Sequence, residues 1–190
     1  MYFILNFKNI KLVKRLFCPI NEFVKLLAQL IRFIVLSWPN TEFGVLLRFR
    51  FAKAKGAVLG KGVRIGRGVD ATWDLITIGN GSSLTDNSVI NLGPERKRLI
   101  IGNDTFIGPQ LYVRNMNHGF ALLDVPIMQQ PNEGTDIIIG NGVWLGARCI
   151  LLAGAKIGDH CVVAAGSVIS NEIAPYSIAA GNPARVVKKR

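Results

Sequence analysis

The chain holds two histidines in 190 residues, His118 and His160, and they stand in different surroundings. His118 closes the run Arg114-Asn115-Met116-Asn117-His118. The stretch after it, 119–136, contains Pro126, Pro131, Gly134, Met128 and Gln129-Gln130 and carries no regular hydrophobic period. Long loops inside compact domains are usually functional, and an imidazole near pH 7 can accept a proton and return it. His118 is therefore the residue best placed for acid–base chemistry. His160 lies in Ile157-Gly158-Asp159-His160, where an exposed turn side chain is the expectation. Three cysteines are too few for a disulfide scaffold and leave at least one thiol free in a monomer, so a reducing compartment is the default.

The elements that must position these groups are set by a period of six. It runs unbroken through Ile139, Leu145, Leu151, Ile157, Val163 and Ile169, with Gly140, Gly146 and Gly158 following three of them. Earlier runs share it with shifts of register: Leu59 and Ile65; Ile78, Leu84 and Ile90; Ile101, Ile107 and Val113. Neither the helical period of 3.6 nor the strand period of 2 gives this spacing. Short strands joined by tight turns do, with Gly, Asn or Asp at the turns. Three units close one triangular coil, and stacked coils bury a column of aliphatic side chains. Cys149 and Cys161 fall on the small inward position and read as core filler.

The N-terminal third is of another kind. Residues 1–67 hold 13 Lys+Arg against Glu22 and Glu42, while 68–190 hold 10 of each sign, so the whole net charge of +11 belongs to the first third. Glu22, Lys25, Gln29 and Arg32 are spaced to form one stripe of a helix, with apolar residues between them up to Leu36 and Pro39 ending the run. The basic residues interrupt it too often for a spanning helix. Basic plus apolar suits a helix lying on an anionic membrane surface. A wide apolar face packed on the domain or on another subunit is the alternative. The segment Arg48 to Lys55 reads as a solvated basic connector. Met1-Tyr2-Phe3-Ile4-Leu5 lacks the basic lead of a cleavable signal peptide. A nucleic-acid role is not expected, because no recognition motif accompanies the charge. The expected organisation is a helical arm over 1–55 and a repeat domain over 56–190 with an ejected loop at 119–136.

Residues 56–190 resemble the hexapeptide-repeat acyltransferases. The strings RNMNHGF and IIIGNGVWLGARCILLAGAKIGDHCVVAAGSVI, with the loop between them, resemble the branch that O-acetylates maltose, nodulation factors and polysaccharides. The resemblance implies an all-β, left-handed parallel β-helix assembled as a homotrimer, with sites between neighbouring prisms. It implies acetyl-CoA as co-substrate, no metal, and His118 as general base toward a sugar hydroxyl, with Asn115, Asn117 and backbone N–H groups as oxyanion donors. Asn91, Arg114 and Met128 would meet the acceptor. The zinc carbonic anhydrases of the same fold use three histidines, and only two exist here.

For the donor, Val143-Trp144-Leu145-Gly146 matches the family's V-W-[IL]-G element, and Trp144 would line the pantetheine groove. Ala147 stands where relatives often have Ser, with Arg148 beside it. Ala165 and Gly166 would flank the pantetheine, and Ser170-Asn171 replaces a common Thr-Lys. Arg185 and Lys188 match basic positions near the adenosine phosphates. The expectation is an O-acetyltransferase acting on a surface-polysaccharide or lipid-linked saccharide. It would be cytoplasmic, with peripheral contact to the inner membrane face through 1–55. Sugar N-acylation and a non-catalytic scaffold are the alternatives.

Overall fold

The computed structural model describes residues 9–93 and 95–190, with side chains from Asn21 onward. The reading of Met1 to Leu5 lies outside the described residues, as does the start of the arm. Two helices come first, α1 (Asn9–Ser37) and α2 (Glu42–Ala54). Six coils follow. The first is β1 (Val58–Leu59), β2 (Arg64–Ile65) and β3 (Asp70–Ala71). The second is β4 (Ile76–Ile78), β5 (Ser83–Leu84) and β6 (Val89–Asn91). The third is β7 (Leu99–Ile101), β8 (Phe106–Ile107) and β9 (Tyr112–Arg114). A hairpin of β10 (Met116–His118) and β11 (Asn132–Gly134) interrupts them. The fourth coil is β12 (Ile137–Ile139), β13 (Trp144–Leu145) and β14 (Ile150–Leu151), and the fifth is β15 (Lys156–Ile157), β16 (Val162–Val163) and β17 (Val168–Ile169). The chain closes with β18 (Glu172–Ile173), β19 (Ser177–Gly181) and β20 (Ala184–Lys189).

The strands stack into three parallel sheets, the faces of a prism. Sheet A is β1-β4-β7-β12-β15-β18, sheet B is β2-β5-β8-β13-β16-β19 with β20 added antiparallel, and sheet C is β3-β6-β9-β14-β17. This is the left-handed parallel β-helix expected from the resemblance. All six period-six residues from Ile139 to Ile169 are buried, as are Cys149 and Cys161. The breaks in the period have one cause. They fall at the corner from sheet C to sheet A, between Ala71 and Ile78, Ile90 and Ile101, and Val113 and Ile139, where the first three coils carry their insertions.

The corner from A to B is held by a ladder of carboxamide and carboxylate oxygens. Asn80 Oδ1 accepts from Lys61 N, Asn103 Oδ1 from Asn80 N, Asn141 Oδ1 from Asn103 N, and Asp159 Oδ1 from Asn141 N, at 2.7–2.8 Å. The coils touch so closely here that a Cβ on Gly102 would stand 2.6 Å from the Gly140 carbonyl carbon. Only glycine fits that approach.

The arm differs from expectation in three ways. Helix α1 begins well before Glu22. Residues 48–54 belong to α2 and form no connector. Arg48 is 1% exposed, donating to Ile65 O (2.8 Å), Trp38 O (2.7 Å) and Asn40 Oδ1 (2.7 Å). Asn40 in turn donates to the Asp86 carboxylate. The α1–α2 turn is thereby fastened to the first two coils. Thr41 caps α2 by accepting from Gly44 N. A Cβ on Gly44 would collide with Pro39 O. Helix α1, by contrast, buries Val35 but leaves every side chain from Asn21 to Ile34 exposed. From Asn21 to Ile34 its apolar side chains do not pack on this chain's prism. No helix among the described residues is long and apolar enough to cross a membrane.

Candidate active site

The expected base and two of the expected acceptor contacts lie on elements that meet at the C-to-A corner. Asn91 ends β6 and Arg114 ends β9, and the two are paired in register. Their inward neighbours Ile90 and Val113 are buried, so alternation turns Asn91 and Arg114 outward, one above the other. Asn91 borders a cleft of about 290 Å³ shared with Asp70, Thr72, Val89 and Arg32 of α1. Arg32 is ion-paired with Asp70. The end of α1 thus contributes a wall to the cleft beside Asn91, a neighbourhood that sequence spacing alone does not show.

Beyond Arg114 the chain leaves the prism as the β10–β11 ribbon, with His118 opposite Asn132. His118 is exposed on β10. The loop therefore starts earlier than 119, and its base is a two-stranded element. The tip is ordered by Gln130, which accepts from Leu122 N (3.0 Å) and donates to Leu122 O and Val125 O (both 2.8 Å). Around that buried amide the tip exposes Phe120, Leu122, Leu123, Ile127 and Met128. Gln130 was not singled out from the sequence, because nothing in a Gln-Gln pair marks which side chain turns inward.

Two expected partners of His118 stand elsewhere. Asn115 is buried; its Oδ1 accepts from Gly93 N (2.9 Å) and its Nδ2 donates to Lys97 O (3.0 Å). Its amide braces the segment between β6 and β7, so its donor is already engaged. Asn117 neighbours His118 on one strand, and alternation sends it to the opposite face of the ribbon. Side-chain donors for an oxyanion beside His118 are thus not supplied by these two residues.

The donor candidates occupy a different edge. Trp144 points outward from sheet B and is 54% exposed. Ala147 and Arg148 turn the next corner, with Ala165 and Gly166 stacked beside them: Gly166 N donates to Ala147 O (2.8 Å). Arg148 donates through Nε to Gln110 Oε1 (2.7 Å). Arg185 and Lys188 lie exposed on β20, at the edge of the same sheet. Ser170 does not join this group, since it follows β17 at the C-to-A corner. That corner lies across the prism from sheet B. Within one chain, His118 and Trp144 are therefore held apart.

The remaining reactive groups have structural roles. The His160 ring stacks on Tyr176 at 5.1 Å, and its backbone takes φ of 59° at a corner. Burial pushes the Cys149 thiol up, against weaker opposing hydrogen bonds from Ser167 and Gly166 N–H groups, which keeps it protonated and inert. Among the described residues, no three His, Cys, Asp or Glu side chains come together as a metal site.

Residues 136–171 match the family model described as bacterial transferase hexapeptide (six repeats). The chain is 30% identical over 109 residues to a chloramphenicol acetyltransferase of Agrobacterium fabrum, covering 49% of this chain and 52% of that protein. It is 36% identical over 97 residues to the Escherichia coli K12 protein WbbJ, named as a lipopolysaccharide biosynthesis O-acetyl transferase, covering 47% of this chain and 49% of WbbJ. These matches span about half the length of the relatives. Among solved structures, the hexapeptide-repeat acetyltransferase VCA0836 of Vibrio cholerae, complexed with acetyl coenzyme A, shares the fold with a TM-score of 0.72. That likeness is at 23% identity over 88% of this chain and 87% of that one.

Proposed function

The chain belongs to the hexapeptide-repeat acetyltransferase family, and on that premise we propose that it moves an acetyl group from acetyl-CoA to a hydroxyl of a saccharide. The observation that carries this reading is His118, exposed on a ribbon ejected from the prism at the root of an ordered loop. The sugar hydroxyl attacks the thioester carbonyl while the neutral His118 imidazole takes its proton. The tetrahedral oxyanion collapses and expels the CoA thiolate, which receives that proton from the imidazolium. The products are the acetyl ester and free CoA, and no acyl-enzyme forms. Backbone N–H groups are the remaining candidates for the oxyanion.

Trp144, Ala147, Arg148, Ala165 and Gly166 would flank the pantetheine, with Arg185 and Lys188 toward the phosphates. Because sheet B and the His118 corner lie on opposite sides of one prism, a site that uses both takes them from neighbouring copies, which suits the expected trimer. Asn91, Arg114 and Met128 would address the acceptor. The name of WbbJ favours a lipopolysaccharide-type acceptor. The exposed basic, apolar α1 favours one presented at an anionic membrane surface.

The test is release of CoA thiol with a panel of matched hydroxy- and amino-sugars. Ester formation on hydroxy-sugars, lost in His118→Gln, is the expected result. Amide formation on the amino-sugars alone would replace the reading with N-acylation. No turnover with any acceptor, from protein that also fails to bind acetyl-CoA, would leave the scaffold reading.

A further inference from the structure

The ribbon that carries His118 also presents a second, unassigned side chain. Gly119 N donates to Pro131 O (2.9 Å) and Thr135 N to Asn115 O (3.0 Å), so 119/131 and 115/135 are hydrogen-bonded pairs. The alternation of an antiparallel ladder then makes 117/133 another, and His118/Asn132 a non-hydrogen-bonded pair. Side chains of such a pair share one face, with Cβ atoms about 4.5–5.5 Å apart. Asn132 Oδ1 is buried and, among the described residues, is the buried side-chain polar atom with no hydrogen-bond partner. A buried acceptor left empty is costly, and native structures rarely keep one without a use. The side chain directly opposite it in register is His118, which is exposed and carries a ring N–H.

We propose that Asn132 is the positioning residue for His118: its carboxamide oxygen accepts the N–H of one imidazole nitrogen and holds the other nitrogen, unprotonated, toward the acceptor hydroxyl. A base needs a lone pair at a fixed place, and a hydrogen bond to the far nitrogen selects the tautomer that provides it. A neutral amide does this without adding charge. Other charged groups near this face are Glu95 and Lys97. Glu95 Oε2 lies 2.7 Å, and Lys97 Cγ 3.4 Å, from the place of a Cβ on Gly134, one non-hydrogen-bonded pair further along. Asn117 and Glu133 occupy the other face. The catalytic part of this role rests on His118 being the base; the pairing itself does not.

With only two histidines in the chain, imidazole-labelled protein gives two ring signals, and His118→Ala assigns them. In the intact protein the neutral His118 ring is expected as one dominant tautomer. Asn132→Leu, matched in size, should give a mixture of tautomers. Asn132→Asp, matched in shape, should move the His118 titration midpoint up by roughly one pH unit, with the His160 signal as the unmoved control. Asn132→Leu should lower kcat about ten- to a hundredfold, the usual cost of losing an orienting partner, with KM for acetyl-CoA within about twofold. Asn132→Asp should recover part of that loss. The same tautomer and midpoint in all three proteins would overturn the proposal, even if kcat fell. If the ring responds as expected but His118→Gln retains full transfer, the pairing stands, and both the general-base reading and the catalytic role of Asn132 fall.

Discussion

At the scale of single residues, type and place decide different things. The two histidines share a side chain, but His118 stands on an ejected ribbon and His160 is stacked on Tyr176 inside a regular corner. That contrast was legible in the sequence, because the hexapeptide period passes through His160 and fails after Val113. The roles of Asn115 and Asn117 were not. Whether an Asn faces inward, braces a backbone or points away depends on where strand pairing begins, and only the partner strand at 132–134 fixes that. Arg48 was misread for a similar reason. A basic residue among Phe and Lys looks solvated until the turn at Trp38 to Asn40 folds over it and offers three oxygens. Removing the guanidinium while keeping an apolar stem leaves those acceptors buried and unpaired. Arg48→Met is therefore expected to cost roughly 2–4 kcal/mol in chemical denaturation. A change within about 0.5 kcal/mol would show that the arm is fastened by other contacts.

At the scale of elements, the period told both the strands and the place where the ribbon leaves the prism. Each register shift marks a return to the same corner, and the corner with the longest excursion carries His118. The ribbon and the Gln130-tied tip were hidden, since the side-chain hydrogen bonds that order them leave no periodic trace. The tight corners carry a cost that can be measured. A Cβ on Gly102 meets main-chain atoms of the next coil, which cannot move aside without opening the Asn80–Asn103–Asn141 ladder. Gly102→Ala should destabilise by at least about 2 kcal/mol. Gly166, with φ of 73° and open space around its Cβ position, is the control for backbone strain without collision. Equal losses at both sites would assign the effect to strain alone.

At the scale of the whole molecule, the chain is a prism of nearly balanced charge, with 13 Lys+Arg against 10 Asp+Glu over 56–190, and a basic, apolar arm fastened at its base. The arm's helical stripe was legible from spacing; the exposure of its apolar side chains from Phe23 to Ile34 was not, because a sequence does not say what an apolar face meets. Exposed Phe23, Leu26, Leu30 and Phe33 beside Lys25 and Arg32 suit an anionic lipid surface, where each basic residue adds about 1 kcal/mol. The intact protein should sediment with phosphatidylserine-containing vesicles, less with neutral ones and less in high salt. Deletion through residue 34 should abolish this and keep the prism folded, since Arg48 and Asn40 remain. An intact protein wholly in the supernatant would leave a second copy as the helix's partner.

The account as a whole depends on a donor site for acetyl-CoA that is separate from His118 in each chain. Calorimetric titration of acetyl-CoA into the intact protein and into His118→Ala tests this most directly. Binding by both, with similar dissociation constants on the order of micromolar to a few hundred micromolar, is the predicted result. It would assign His118 to chemistry and the sheet B edge to the donor. Absence of binding by both, from folded and assembled protein, would contradict the account and make Trp144 and Arg185 structural residues of a scaffold.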